Sequence, residues 1–578
     1  MRGINRKIVV IAATLALVVP MWVSGASAHP SRKGPNRVLI VLLDQMLPQY
    51  ANQFNMPNFR RLRNAGTNFK NAYLGYMASE TVMAHNVITS GQLPKHMGWT
   101  DEAYRDADDL LAPAGAGEMH ITGDLSLADF GTLIDGAYGG NGYLKLADYL
   151  HTAYPGTKFI TVGQKSYAVE SATAPTGDIG VRMSGRSSST LDSCGITLGG
   201  RYRSPSGKDV PSYLTEPFCG RYYINSSSSN SYGTTTAFPS WMYPEDGNRF
   251  FPGTDGPNGL ATGHLGGDTW VADAAIEMIG REPWSGMFVT LGAIDKAAHM
   301  WGAQDDAANF KGACVTGDPV ADGAAQTHVR CAAENADVQL GRMLDAVKAK
   351  DRRDGGETLV VLTADHGATY GKSFYGKQTA DAGNSNWYYA PTGVWDAGAF
   401  VDPTNPLYNQ PSPALQPLID TGNIQFSYQS TAIEAWLIDH SVTKMKEGAA
   451  AMLKTPGVTA AYWHDGDRFR LYGVNSMTWS EKAWWLAHGQ ELVNTMAASN
   501  GPDVIGLLHD KTSYGVYGDH GGAQESVQRV PMVFWSPSLA YHNANGSRFT
   551  TPDLMPTVLK LMGIEVVGPI DGRARRLW

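Results

Sequence analysis

Three distant stretches of this chain share one design, in which a continuous apolar run is followed directly by an aspartate. Val38–Leu43 leads into Asp44, Met287–Ile294 into Asp295, and Thr358–Ala364 into Asp365. Runs without polar alternation are what a strand needs when helices cover both faces of its sheet. Residues 158–163, 503–508 and 530–535 read the same way, and helical patterns lie between the runs. Pro57 and Asn58 open one that ends at Gly66, Tyr143–Ala153 stops before Pro155-Gly156, and Ala332–Lys350 carries apolar residues at helical spacing. The expected fold class is α/β, an open and mostly parallel central sheet with helices on both faces. In such a sheet the ligand crevice lies beyond the carboxyl ends of the strands, so Asp44, Asp295 and Asp365 should converge there.

Two stretches break the rhythm. Residues 184–265 are rich in Ser, Gly, Pro and Tyr, and residues 371–500 begin polar and aromatic before a small α+β pattern. Both read as insertions into a single domain spanning 36–578. Trp387, Tyr388, Tyr389 and Trp395 in the second are either stacking groups for a base or head group, or ordinary packing.

Ahead of the domain, Arg2, Arg6 and Lys7 precede the apolar stretch Ile8–Val23 and a small-residue site at Ala26-Ser27-Ala28. That order is a secretory signal peptide over residues 1–28, and the stretch is short for a stable membrane anchor. The expected localisation is therefore secreted. Without those three positive charges the formal net charge moves from −8 to −11, which argues against a nucleic-acid-binding surface. Four cysteines in an exported chain suggest disulfides, with sequential pairing of Cys194 with Cys219 and Cys314 with Cys331 preferred among three possibilities.

Gathered carboxylates repel one another unless a cation sits among them. Histidines accompany them here: His299 follows Asp295 by four residues, His366 is adjacent to Asp365, and a second Asp-His-Gly supplies His520 beside Asp519. Mixed Asp and His donors suit zinc and similar ions, whereas calcium and magnesium prefer oxygen alone. Thr81 is the candidate nucleophile, at the start of a helix expected from about Val82 to Ser90 and closed by Gly91 and Pro94. A helix N-terminus favours an alkoxide and binds phosphoryl oxygens. A threonine before a helix is also by default its cap, and the residues alone leave both roles open.

In this order, strand-Asp44, Thr81 with "HNVITSGQLPKHMG", Asp295-x-x-x-His299, Asp365-His366 and a late His520, the chain resembles the alkaline phosphatase superfamily. It is most similar to the type I phosphodiesterase/nucleotide pyrophosphatase branch. The resemblance implies an alkaline-phosphatase-like fold and two divalent ions, most suitably zinc. One would be held by Asp44, Asp365 and His366 against Thr81, the other by Asp295, His299 and His520. Thr81 would be transiently phosphorylated, with Glu80 and Asp519 as candidate supports of the ligands. The implied activity is a phosphohydrolase cleaving phosphodiester or nucleotide pyrophosphate bonds in a small-molecule substrate. A phosphomonoesterase is the alternative; phosphotransfer to another alcohol and a silent binding protein are lesser ones. The chain departs from the family in two places. Asp101 and Glu102 stand where an Asn amide is expected to bind a phosphoryl oxygen. Lys165 matches a lysine of monoesterase relatives, but Tyr167 stands at their arginine.

Overall fold

A computed structural model describes residues 34–111, 117–122, 125, 127–182, 211–214, 222–224, 264–301, 303, 312–316, 328–369, 415–514, 518–539 and 543–577. Strand β1, Arg37–Leu43, is buried along its whole length. Its side chains alternate between two cores: Leu39, Val41 and Leu43 join one, and Val38, Ile40 and Leu42 the other. That two-sided burial is why the run has no polar alternation.

β1 is central to an eight-stranded sheet that also contains β2 (Thr67–Tyr73), β5 (Lys158–Gly163), β6 (Ile179–Arg182), β9 (Trp284–Leu291), β10 (Thr358–Thr363), β16 (Met532–Trp535) and β17 (Asn543–Thr550). The order is β17-β2-β16-β10-β1-β9-β5-β6, and every pairing is parallel except those made by β16. Helices Pro57–Ala65, Gly267–Arg281 and Val329–Asp354 supply one core. Residues of the helices Leu146–Ala153 and Leu554–Leu561 supply the other. The expected α/β class and its mostly parallel sheet are thus what the chain adopts.

A second sheet draws four strands from the range read as the later insertion, 371–500, and one from beyond it. Its strands are β11 (Ile424–Gln429), β12 (Ala432–Leu437), β13 (Val458–Asp465), β14 (Arg468–Val474) and β15 (Val504–Leu508), in the order β11-β12-β15-β13-β14. All of its pairings are antiparallel. The run 503–508, read as one more strand of the main sheet, is instead the middle strand here. It is buried at every residue because the helix Val442–Met452 packs on this sheet, with Met452 beside Gly506. A continuous apolar run reports two-sided burial and says nothing about which sheet provides it. Shorter pairs, β3 (Ala103–Asp106) with β4 (Glu118–Ile121) and β7 (Tyr222–Ile224) with β8 (His264–Gly266), complete the described strands.

Cys314 and Cys331 form a disulfide as expected, while Cys194, Cys219 and the aromatic stretch around Trp387, Tyr388, Tyr389 and Trp395 lie outside the described residues. Among the described residues no helix is long and apolar enough to cross a membrane.

Candidate active site

The strand order explains why distant residues meet. Asp44, Asp295 and Asp365 follow β1, β9 and β10, which are neighbours and parallel, so the three carboxylates leave the sheet at one edge. Lys165 follows β5 and Thr81 follows β2 at that same edge. β16 runs antiparallel, so the segment that precedes it, carrying Asp519 and His520, also arrives there.

Local backbone geometry aims these groups. Gln45 adopts φ 61°, a left-handed conformation unusual for a side-chain-bearing residue, directly after Asp44. The turn lets the Gln45 amide donate to Asp365 Oδ1 at 3.1 Å, alongside the His366 amide at 3.0 Å. Both Asp-His-Gly tripeptides need their glycine. A Cβ on Gly367 would stand 2.1 Å from the Ser526 carbonyl oxygen, and one on Gly521, at φ +81°, would stand 2.0 Å from Glu80 Oε1.

Thr81 is the first residue of the fully buried helix Thr81–Ser90, and its cap position is held by Glu80, whose side chain makes no capping bond. The threonine hydroxyl is not occupied in capping. It receives a hydrogen bond from Lys165 Nζ at 3.0 Å and lies 3.4 Å from His366 Nε2. The helix ends at Gly91 in the left-handed conformation, as its sequence led us to expect.

Lys165 Nζ stands 2.7 Å from Asp44 Oδ2 and 2.7 Å from Asp295 Oδ2. Burial opposes its charge, but Asp295, Asp44 and Asp365 outweigh burial and hold it protonated well above the ordinary lysine range. Burial, then the neighbouring Asp365, pushes Asp44 far up, and burial likewise raises Asp365. Two unit charges 4 Å apart repel by roughly 4 kcal/mol at an effective dielectric constant of about 20, so three carboxylates here require positive charge. Lys296, which the sequence reading passed over, adds a second ammonium 3.5 Å from Asp295 Oδ2; its only signal was its place directly after that aspartate.

The two histidine rings stack with centroids 3.6 Å apart. Their surroundings pull the two imidazoles in opposite directions. Burial, and then His520, pushes His366 well below the ordinary histidine range, and its Nδ1 faces the Gly367 carbonyl at 3.0 Å. Burial opposes the charge on His520, but Glu80, 2.7 Å from Nδ1, and Asp295, 3.5 Å from Nε2, raise it well above the ordinary range.

Two sets of donor atoms lie within 4.8 Å of one another: Asp44 with Asp365 and His366, and Asp295 with His366 and His520. Asp365 Oδ2 is buried without a hydrogen-bond partner. A buried carboxylate oxygen left in that state is costly unless a cation meets it, so the residues fit divalent ions. His299 belongs to the helix Ala293–Trp301, but its side chain lies outside the described residues. Asp519 is buried beside His520, and burial pushes its carboxyl well up.

The departures noted in the sequence have their own surroundings. Asp101 and Glu434, on β12, are buried together and hydrogen-bonded; burial drives both up, Glu434 to about 8. Glu102 is raised to about 7, by burial and then by Glu80, against the opposing pull of His520 and Lys165. Tyr167 packs edge-on against Phe130, with ring centroids 5.6 Å apart. The contribution of Glu434 was illegible in the sequence, because it depends on where the second sheet docks.

The fold is shared with known enzymes. Wild-type alkaline phosphatase PafA is 15% identical, with a TM-score of 0.52 over 93% of this chain and 98% of that one. A multiply substituted PafA gives 15% identity and a TM-score of 0.54 over 93% and 97%. Murine ectonucleotide pyrophosphatase/phosphodiesterase 5 aligns over 93% and 97% at 10% identity, with a TM-score of 0.45. No curated protein matches in sequence. The family model described as type I phosphodiesterase/nucleotide pyrophosphatase matches residues 38–393, the span that carries Asp44, Thr81, Lys165, Asp295, Asp365 and His366. The chain therefore belongs to the type I phosphodiesterase/nucleotide pyrophosphatase family, within the alkaline phosphatase superfamily, and is a hydrolase of phosphoric esters.

Proposed function

We propose that this chain cleaves phosphodiester or nucleotide pyrophosphate bonds through a phosphothreonine formed at Thr81, with two divalent ions, most suitably zinc. The observation that carries the reading is the Thr81 hydroxyl, free of capping duty and 3.4 Å from His366, at the rim of two donor sets. Asp44, Asp365 and His366 would hold one ion, and Asp295 and His520, with His299, the other. When bound, such ions lower the pKa of a hydroxyl and neutralise a departing oxygen.

The chain's own residues do the rest. Thr81 Oγ1 attacks phosphorus and the bond to the leaving oxygen breaks, placing the phosphoryl group on the threonine. A water then attacks phosphorus, the Thr81 oxygen leaves, and inorganic phosphate or a monoester departs. The positive end of the helix would favour the non-bridging oxygens, and Lys165 supplies fixed positive charge beside the nucleophile. Charge stabilisation of this kind dominates phosphoryl transfer. Mixed Asp and His donors support zinc. Export is part of the reading, supported by the signal-like residues 1–28 and the Cys314–Cys331 disulfide.

The test compares purified protein on a bis-aryl phosphate, an aryl phosphate and an aryl phosphonate monoester, with and without a chelator. Diester hydrolysis that the chelator abolishes and zinc restores is the expected result. Turnover that survives complete metal removal contradicts the reading.

A further inference from the structure

Asp268 is a fully buried carboxyl that the chemistry proposed above does not use. It is the second residue of the helix Gly267–Arg281. β5 and β9 run as parallel neighbours, with Gly163 opposite Thr290, so the segments that follow them leave the sheet side by side. Asp268 Oδ1 accepts a hydrogen bond from each segment. The Gln164 side-chain amide donates to it, and so does the Ala293 main-chain amide at 3.2 Å. Ala293 opens the helix Ala293–Trp301, where a first-turn amide has no acceptor within its own helix and a carboxylate is favoured by the helix dipole. Lys165 directly follows Gln164, and Asp295 lies two residues beyond Ala293. Lys165 Nζ in turn stands 2.7 Å from Asp295 Oδ2 and 3.0 Å from Thr81 Oγ1. One carboxylate oxygen thus ties together, from behind, the two segments that supply this ion pair. Asp268 Oδ2 is buried without a hydrogen-bond partner, so the fold draws on this side chain through Oδ1 alone.

We infer that Asp268 is a positioning residue for the second ion, fixing through Oδ1 the helix that carries Asp295 and His299 against the Lys165 segment. The inference rests on the two-ion reading above and deepens it. The other donor set has its own supports. The Asp44 amide donates to the Leu291 carbonyl at 2.9 Å, and Asp365 Oδ1 accepts from the Gln45 and His366 amides. Loss of the Asp268 acceptor frees the start of the Ala293–Trp301 helix and leaves those bonds in place. One ion should therefore be held less tightly than the other.

The test counts zinc bound per folded chain, using the full apo protein in zinc buffers of defined free concentration. Wild type, Asp268→Ala, Asp268→Ser and Asp268→Asn are compared, with the folded fraction of each read by near-ultraviolet circular dichroism. At the lowest free zinc that keeps two ions on wild type, the Ala and Ser variants should hold one. Neither side chain reaches both donors, and the second ion should return only at about tenfold or more higher free zinc, the scale on which supports of metal ligands act. Asp268→Asn keeps the Oδ1 acceptor and should hold two ions, as wild type does. Two ions on the Ala and Ser variants, none on them, or one on Asp268→Asn overturns the inference. Failure of both the Ala and Ser variants to fold overturns it too, since Asp268 would then support the fold as a whole. A wild type that binds fewer than two ions contradicts the two-ion reading itself, which is a separate result.

Discussion

The hydroxyl of Thr81 lies 3.4 Å from Nε2 of His366, although 285 residues separate them in the chain. β2 and β10 bring the two to one edge of the sheet with β16 between them, and Gly367 lets the His366 turn pack against the Ser526 carbonyl. Substituting Gly367→Ala forces a Cβ into backbone 2.1 Å away. We expect a loss of about 1–3 kcal/mol in denaturant unfolding, with activity falling beyond the loss of folded protein because His366 is displaced.

Glu80 orients His520 from 2.7 Å, taking its Nδ1 so that Nε2 faces Asp295. Glu80→Gln keeps the shape and removes the charge. Partners of this kind typically support metal affinity by about 10–100-fold, and we expect zinc titration of the apo protein to show a loss in that range. Equal zinc affinity in the variant would remove Glu80 from the site.

Lys165 bridges Asp44 and Asp295 at 2.7 Å each. Lys165→Met leaves those buried carboxylates more dependent on bound cations. The fall in Tm on adding a chelator should therefore be larger in the variant than in wild type, as read by parallel thermal melts. An equal fall would mean that the ammonium and the ions do not share the same negative field.

Glu434 titrates at about 8 in the folded chain, raised from its usual 4.5 by burial and then by Glu80, against the opposing bond from Asp101. A carboxyl whose folded pKa lies above its unfolded value contributes stability that is fully present below the unfolded value and is lost as pH rises through the folded one. The contribution should thus decline between pH 4.5 and 8. Glu434→Gln should flatten the decline of Tm across that window, the stability involved being on the order of a few kcal/mol at most. Parallel Tm profiles for the two proteins would contradict this.

Much of the sheet was legible because burial on both faces writes itself into a strand as an unbroken apolar run. Asp44 and Asp365 could be placed from the sequence, since a charged residue ending such a run marks the strand's carboxyl end. The assignment failed for Val504–Leu508, where the same apolar signature arises in the middle of an antiparallel sheet. The roles of Lys296 and Glu434 were hidden for a different reason. Each depends on a neighbour brought by tertiary packing, Asp44 for the lysine and Asp101 for the glutamate, and no periodicity records that. The double reading of Thr81, cap or nucleophile, turned on one residue of register: Glu80 is the cap, and the threonine is the first residue inside.

The central claim is that the Thr81 oxygen takes the phosphoryl group. Its most direct test is acid quenching of zinc-loaded enzyme during turnover of a bis-aryl phosphate, followed by mass spectrometry of the peptide containing Thr81. The account expects one added aryl phosphoryl group on Thr81, and a Thr81→Ala protein that binds zinc normally but turns over about a thousandfold more slowly or worse. An unmodified Thr81 together with full activity of Thr81→Ala would contradict it.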